Sequence, residues 1–149
     1  MFSKETYLQR RNQLKNSVKS GVLLFLGNNE APMNYPSNTY RFRQDSHFLY
    51  FFGLQLDHLA AVIDADEDKE ILFGDDYTID DIIWMGDQPS IQSLAERCGV
   101  AESRPFAALA DYLQKARAAG RTIHFLPPYR FDISKFLTLS KISILSNVK

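Results

Sequence analysis

The sequence is poor in the residues that advertise chemistry most directly. Its 149 residues hold a single cysteine, Cys98, which excludes an internal disulfide and a cysteine-rich zinc centre and makes a reducing compartment the default. The seven glycines, at positions 21, 27, 53, 74, 86, 99 and 120, form neither a GxGxxG nor a GxxxxGK(S/T) phosphate cradle. No serine sits in a GxSxG nucleophile elbow. The three histidines, His47, His58 and His124, are scattered, and none belongs to an HExxH zinc helix. Charge of one sign is also missing: 17 basic against 18 acidic residues give a net charge of −1, without the basic surplus of a polyanion binder, so no nucleic-acid partner is expected. No apolar run approaches the roughly 20 residues of a membrane span. The segment Met1–Glu5 lacks the basic-then-apolar order of a leader, so no membrane partner and a cytoplasmic location are expected.

What is present suits one ordinary domain, with 45% hydrophobic and 23% charged residues. Tyr7, Arg11, Leu14 and Val18 make one stripe of a helix over residues 3–19, with Ser3 as N-cap and Gly21 beyond its last turn. The run 21–27 reads as a strand covered on both faces, and 28–38 as a loop. Residues 59–65 and 70–73 form a predicted hairpin about the acidic turn 66–69. Helices are expected at 78–84, 90–97 and 105–119, the last with Pro105 near its first position and Gly120 as its stop. A strand at 122–126, a short helix at 132–139 and a final strand at 142–145 complete an α/β domain with a mixed β-sheet flanked by helices. The uncovered final strand suggests a domain boundary near residue 149.

Two patterns tempt a chemical reading. Asp64-x-Asp66-x-Asp68 begins like a calcium loop, but Lys69 stands where the sharp turn needs glycine and Asp75 where a glutamate is needed, so a solvated turn is the expectation. The second is aromatic. Six of the nineteen aromatic residues fall between positions 40 and 52: Tyr40, Phe42, Phe48, Tyr50, Phe51 and Phe52. Arg41 and Arg43 alternate with the first of them, an arrangement that could stack bases from a strand. Core packing is the alternative for most of the cluster, leaving the polar insert 43–46 to fix a turn or another surface.

The stretch Tyr40-Arg41-Phe42-Arg43-Gln44-Asp45-Ser46-His47-Phe48-Leu49-Tyr50-Phe51-Phe52-Gly53 resembles the signature of the aminopeptidase P N-terminal domain, in the creatinase/prolidase superfamily. Its matching positions are Tyr40, Arg43, Gln44, Asp45, Ser46, Phe48, Tyr50 and Gly53, and the surrounding segments, including Ile83-Trp84-x-Gly86, follow the same order. Phe52 departs from the usual threonine, and Ser37 and Asn38 stand where the family often carries an acid. The resemblance implies a ribonuclease H-like fold over residues 1–149 and an Xaa-Pro aminopeptidase whose catalytic pita-bread domain lies outside this chain. That domain would hold two divalent metals, manganese by family habit, and would take peptides with proline at the second position. No catalytic residue and no metal ligand is therefore assigned here, and the chain alone is expected to be inert. Its partners would be its own C-terminal catalytic domain and further copies in a dimer or tetramer.

By the same resemblance, Trp84 reaches toward a neighbouring active site, although it could equally be a core or interface residue. The signature residues from 43 to 46 would anchor the architecture. An Xaa-Pro dipeptidase (prolidase) carries similar stretches, and a peptidase-derived interaction module shares the fold. Both remain alternatives.

Overall fold

The computed structural model describes residues 2–35 and 38–126. The expected helix at 132–139 and strand at 142–145 lie outside them. Helix α1 (Lys4–Val18) leads into strand β1 (Val22–Leu26), and the chain then forms helix α2 (Ser46–Phe52) before the hairpin of β2 (Ala60–Asp64) and β3 (Lys69–Phe73). Helices α3 (Ile79–Met85) and α4 (Ile91–Cys98), strand β4 (Glu102–Arg104), helix α5 (Ala108–Ala118) and strand β5 (Ile123–Phe125) follow.

The sheet order is β4-β3-β2-β1-β5. Its two central pairings are antiparallel, Leu26 facing Ala60 and Ala60 facing Phe73, while β4 and β5, the outermost strands among the described residues, run parallel to their neighbours. This is the mixed sheet that the alternation of elements implied. Strands β1 and β2 are continuous apolar runs because both faces are covered. Leu23, Phe25, Ala61 and Ile63 point into one core with Phe48 and Phe52 of α2 and Leu94 and Cys98 of α4. Val22, Leu24, Ala60 and Val62 point into the other, under Leu109, Leu113 and Ala116 of α5.

Four local expectations need correction. Ser3 stands at the N-cap of α1 but makes no side-chain cap bond, and the helix is closed by Lys19 at φ +68°, with Gly21 also at positive φ two residues on. Helix α5 begins at Ala108, since Pro105 and the two residues after it form a turn in which Leu109 N–H reaches Phe106 O. Strand β4 was not expected: it has three half-buried polar residues and no apolar run, and its pairing with β3 alone defines it. Helix α2 was not expected either: no element was assigned to the aromatic cluster, in the middle of which Asp45 starts a helix.

Arg11 shows how α1 is fastened. Its side chain is fully buried; Nε donates to Glu70 at 2.8 Å, Nη1 donates to the carbonyl of Phe51 at 2.9 Å, and the guanidinium lies 5.2 Å from the Phe52 ring centroid. One side chain thus joins α1 to β3 and to α2. Charge-assisted bonds of this kind are the strong ones, and a buried guanidinium needs them.

Candidate functional site

Asp45 organises the start of the aromatic helix. Its Oδ1 accepts from the backbone N–H groups of His47 and Phe48 at 2.9 and 3.0 Å, the N-cap arrangement that offsets two otherwise unpaired donors. Phe48 and Phe52, four residues apart on one face, are then fully buried, whereas Tyr50 faces outward under the Arg10 guanidinium, 4.1 Å from its ring centroid. Gly53 ends the helix at φ +69°, and a Cβ there would lie 2.0 Å from Tyr7 Oη. Both the backbone conformation and the close approach require glycine.

Gln44 is the tie beneath this helix. It is 1% exposed. Its Oε1 accepts from Asn28 N at 2.6 Å and Asp45 N at 2.9 Å, and its Nε2 donates to the carbonyl of Leu56 at 2.6 Å. The two ends of the long β1–α2 connection and the loop after α2 therefore meet on one amide. Asn28 Nδ2 adds a bond to the carbonyl of Arg43 at 2.9 Å. Gly27 makes room for this joint, since a Cβ there would stand 2.7 Å from Leu59 O and 3.0 Å from the Gln44 amide.

Above the joint lies an open cleft of about 350 Å³, lined by residues 28–31 and 40–46 except Asp45. Gln44 and Asn28 make its floor, and Glu30, Tyr40, Arg41 and Arg43 stand at its rim. The signature residues thus divide. Gln44, Asp45, Phe48 and Gly53 build architecture, while Tyr40, Arg43, Ser46 and Tyr50 are exposed. Asn28 and Glu30 carried no sequence signal; Asn28 meets Gln44 sixteen positions away, which no local pattern reveals.

Trp84 lies elsewhere, on α3, and is 88% exposed beside Ile83 and near Ile79, also exposed. It is not a core residue. Because β1 and β3 both run antiparallel to β2, the loop after β1 and the segment carrying α3 leave the sheet at the same end. Tyr77, just before α3, has its phenol pushed up first by burial and then by the carboxylates of Asp57, Asp81 and Glu30.

The acidic turn is structural. Asp64 is fully buried; its Oδ1 accepts from the N–H groups of Asp66 and Glu67 at 3.1 and 2.9 Å, and Tyr112 and Arg121 bond its carboxylate. Burial opposes ionisation of Asp64, but the bonds from Tyr112 and Arg121 outweigh it and hold the carboxyl below its ordinary range. Asp66 is engaged too, by Arg121 and by the N–H of Gly21. These oxygens do not suit a calcium ion, and among the described residues no group of three or more His, Cys, Asp or Glu side chains is placed to hold a metal. Asp76 likewise serves a helix start, accepting from Ile91 N at 2.6 Å, and Asp75 accepts from Phe106 N at 3.0 Å in the turn before α5. Cys98 is buried, with its thiol pushed up by burial, and behaves as a packed apolar side chain.

Comparison with known proteins gives this frame a lineage. The family described as "Aminopeptidase P, N-terminal domain" matches residues 7–124. The mitochondrial intermediate cleaving peptidase 55 of Arabidopsis thaliana is 28% identical over 97% of this chain, which spans 30% of that protein. A probable Xaa-Pro aminopeptidase PEPP of Sordaria macrospora is 25% identical over 85% of the chain, spanning 22% of its own length. Among solved structures, aminopeptidase P from E. coli superposes with a TM-score of 0.75 at 20% identity, covering 94% of this chain and 32% of that one, a likeness of fold. The chain thus spans less than a third of these relatives. The matched stretch runs from α1 into β5, and the chain belongs to the aminopeptidase P N-terminal domain family.

Proposed function

We propose that this chain is the non-catalytic N-terminal domain of a cytoplasmic Xaa-Pro aminopeptidase, and that it helps to shape the mouth of the active site and to build the oligomer. The single observation that carries the reading is the family match over residues 7–124. The use of the signature residues supports it: Gln44, Asp45, Phe48 and Gly53 are spent on packing and loop anchorage. The chemistry would belong to a catalytic domain carrying two divalent metals, which generate a hydroxide and polarise the scissile carbonyl. An X-Pro bond lacks an N–H and is constrained by its ring, which is why a dedicated enzyme is needed. Trp84 offers a flat apolar face on an exposed helix, the kind of surface that closes one wall of a peptide pocket in a neighbouring subunit. An Xaa-Pro dipeptidase and a peptidase-derived interaction module are the alternative readings of the same domain.

The test uses the full-length protein with manganese. Trp84→Ala should lower kcat/KM for Xaa-Pro peptides about tenfold, equivalent to ~1.4 kcal/mol of lost transition-state stabilisation. The emission of Trp84, taken as the difference between wild type and Trp84→Phe, should shift to the blue in the assembled protein relative to the 149-residue chain, which has no other tryptophan. Unchanged kinetics together with an unchanged oligomeric state would refute the role of Trp84. Manganese-dependent hydrolysis by the 149-residue chain alone would refute its inertness.

A further inference from the structure

The rim of the cleft above Gln44 carries charged groups that the fold does not use. Among the described residues, the side chains of Arg41, Arg43 and Glu30 have no hydrogen bond or ion pair, although all three line the same cleft. Among the other described residues, Arg10, Arg11, Arg104 and Arg121 each hold a carboxylate or a carbonyl. A second, independent observation lies on the floor. Asn28 is 6% exposed, and its Oδ1 has no hydrogen-bond partner, while its own N–H and its Nδ2 are both satisfied. A buried amide oxygen left unpaired beside a polar cleft is an acceptor suited to a bridging water.

We propose that this cleft binds the carboxylate-bearing part of a peptide, with Arg41 and Arg43 holding the carboxylate and Glu30 receiving an N–H group, while Asn28 Oδ1 is met through a water. The mixture of lining groups selects the ligand class. A phosphodiester backbone offers only acceptors and repeated negative charge, so it suits the two arginines but is repelled by Glu30. A peptide segment offers an anionic terminus or acidic side chain and N–H donors within a few ångströms of each other. Tyr40, 59% exposed at the rim, adds an aromatic face for the intervening backbone or side chain. The floor suits recognition because Gln44 fixes it through three bonds, so a ligand need not order it. The proposal rests on the peptidase reading for its choice of peptide, and it adds a contact for residues downstream of the scissile bond.

The test is a titration of the 15N-labelled 149-residue chain with three probes: the peptide Ala-Pro-Ala-Ala with a free C-terminal carboxylate, the same peptide amidated, and a short oligothymidylate. The free acid should shift the backbone signals of residues 28–31 and 40–46 saturably, and amidation should weaken binding about tenfold. Arg41→Ala and Arg43→Ala should each weaken it by about threefold to tenfold, Arg→Lys at either position by less, and all four spectra should keep their dispersion. Equal affinity for acid and amide, or indifference to both arginine substitutions, would overturn the proposal. So would oligothymidylate binding at these residues in place of the peptide. Parallel hydrolysis assays on the full-length protein separate the two levels. Cleavage of Xaa-Pro peptides that ignores both the terminal carboxylate and the arginines removes the cleft's role and leaves the peptidase reading standing. Binding of the acid peptide without any Xaa-Pro cleavage does the reverse.

Discussion

Replacing Gln44 by methionine removes one amide and nearly nothing else. Methionine has a similar length, is unbranched and fits the same apolar walls, so the change isolates the hydrogen bonds from the packing. Three bonds disappear: from Asn28 N–H, from Asp45 N–H and to the carbonyl of Leu56. Asp45 and Asn28 are nearly fully buried, so their N–H groups have no ready access to bulk water. A buried donor or acceptor left unpaired costs about 1–3 kcal/mol. With partial relief by relaxation, the sum is about 3–4 kcal/mol, near the upper end of what single substitutions do. In a chain of this size that corresponds to a fall in Tm of roughly 10 °C. Urea unfolding followed by far-ultraviolet circular dichroism measures it directly, and an unchanged m-value would show that only stability moved. Gln44→Glu sharpens the result. It keeps both accepted bonds but turns an oxygen toward Leu56 O, so its loss should also be substantial. A loss below about 1 kcal/mol for Gln44→Met would refute the claim that this amide ties the two loops, because even one unpaired buried N–H should cost more.

Two further predictions concern the turn and the helix end. Asp64→Asn should destabilise the chain by about 2–4 kcal/mol near neutral pH, since it leaves the Arg121 guanidinium and the Tyr112 hydroxyl facing a neutral amide. Asp64 has a depressed folded-state pKa, so its stabilisation is present above the ordinary carboxyl range and is lost as pH falls through the folded-state value. The acid limb of the stability–pH curve should therefore be shallower in the variant, and superimposable limbs would contradict this. Gly53→Ala and Gly120→Ala form a matched pair. Both glycines have φ near +70°, but a Cβ at 53 meets Tyr7 Oη at 2.0 Å, whereas one at 120 meets nothing within 4 Å. Calorimetry should give a loss of about 1 kcal/mol at 120, from the left-handed backbone alone, and at least twice that at 53. Equal losses would mean that the contact with Tyr7 is not the constraint at residue 53.

Segments with a strong local pattern were legible in the sequence. The helix at α1, the glycine-bounded β1 and the hairpin of β2 and β3 each declare themselves through periodicity and turn residues, and each is found within a few residues of its expected place. Strand β4 was silent because three half-buried polar residues have no period to read, and it exists only through its parallel pairing with β3. The helix at α2 was obscured by composition: six aromatics in thirteen residues suit a strand by propensity, and the decisive signal was the single capping side chain of Asp45. The site divides in the same way. The importance of Gln44 and Asp45 was visible as a polar insert among aromatics, but their partners Asn28 and Leu56 come from other loops. The role of Arg11 as a fully buried link was half visible, as a charged residue on an otherwise apolar stripe.

The hexapeptide 40–45 places its obligations and its freedoms side by side. Gln44 and Asp45 cannot change without loosening two loops and a helix, yet the side chains of Tyr40, Arg41 and Arg43, a few positions away, hold up nothing among the described residues. Substitutions at the rim should therefore be nearly neutral for folding while altering what the cleft accepts. A protein arranged this way can drift toward new ligands one rim residue at a time, on a floor that does not move. The same separation makes 40, 41 and 43 the natural positions for retargeting the domain, and 44 and 45 the ones to leave alone.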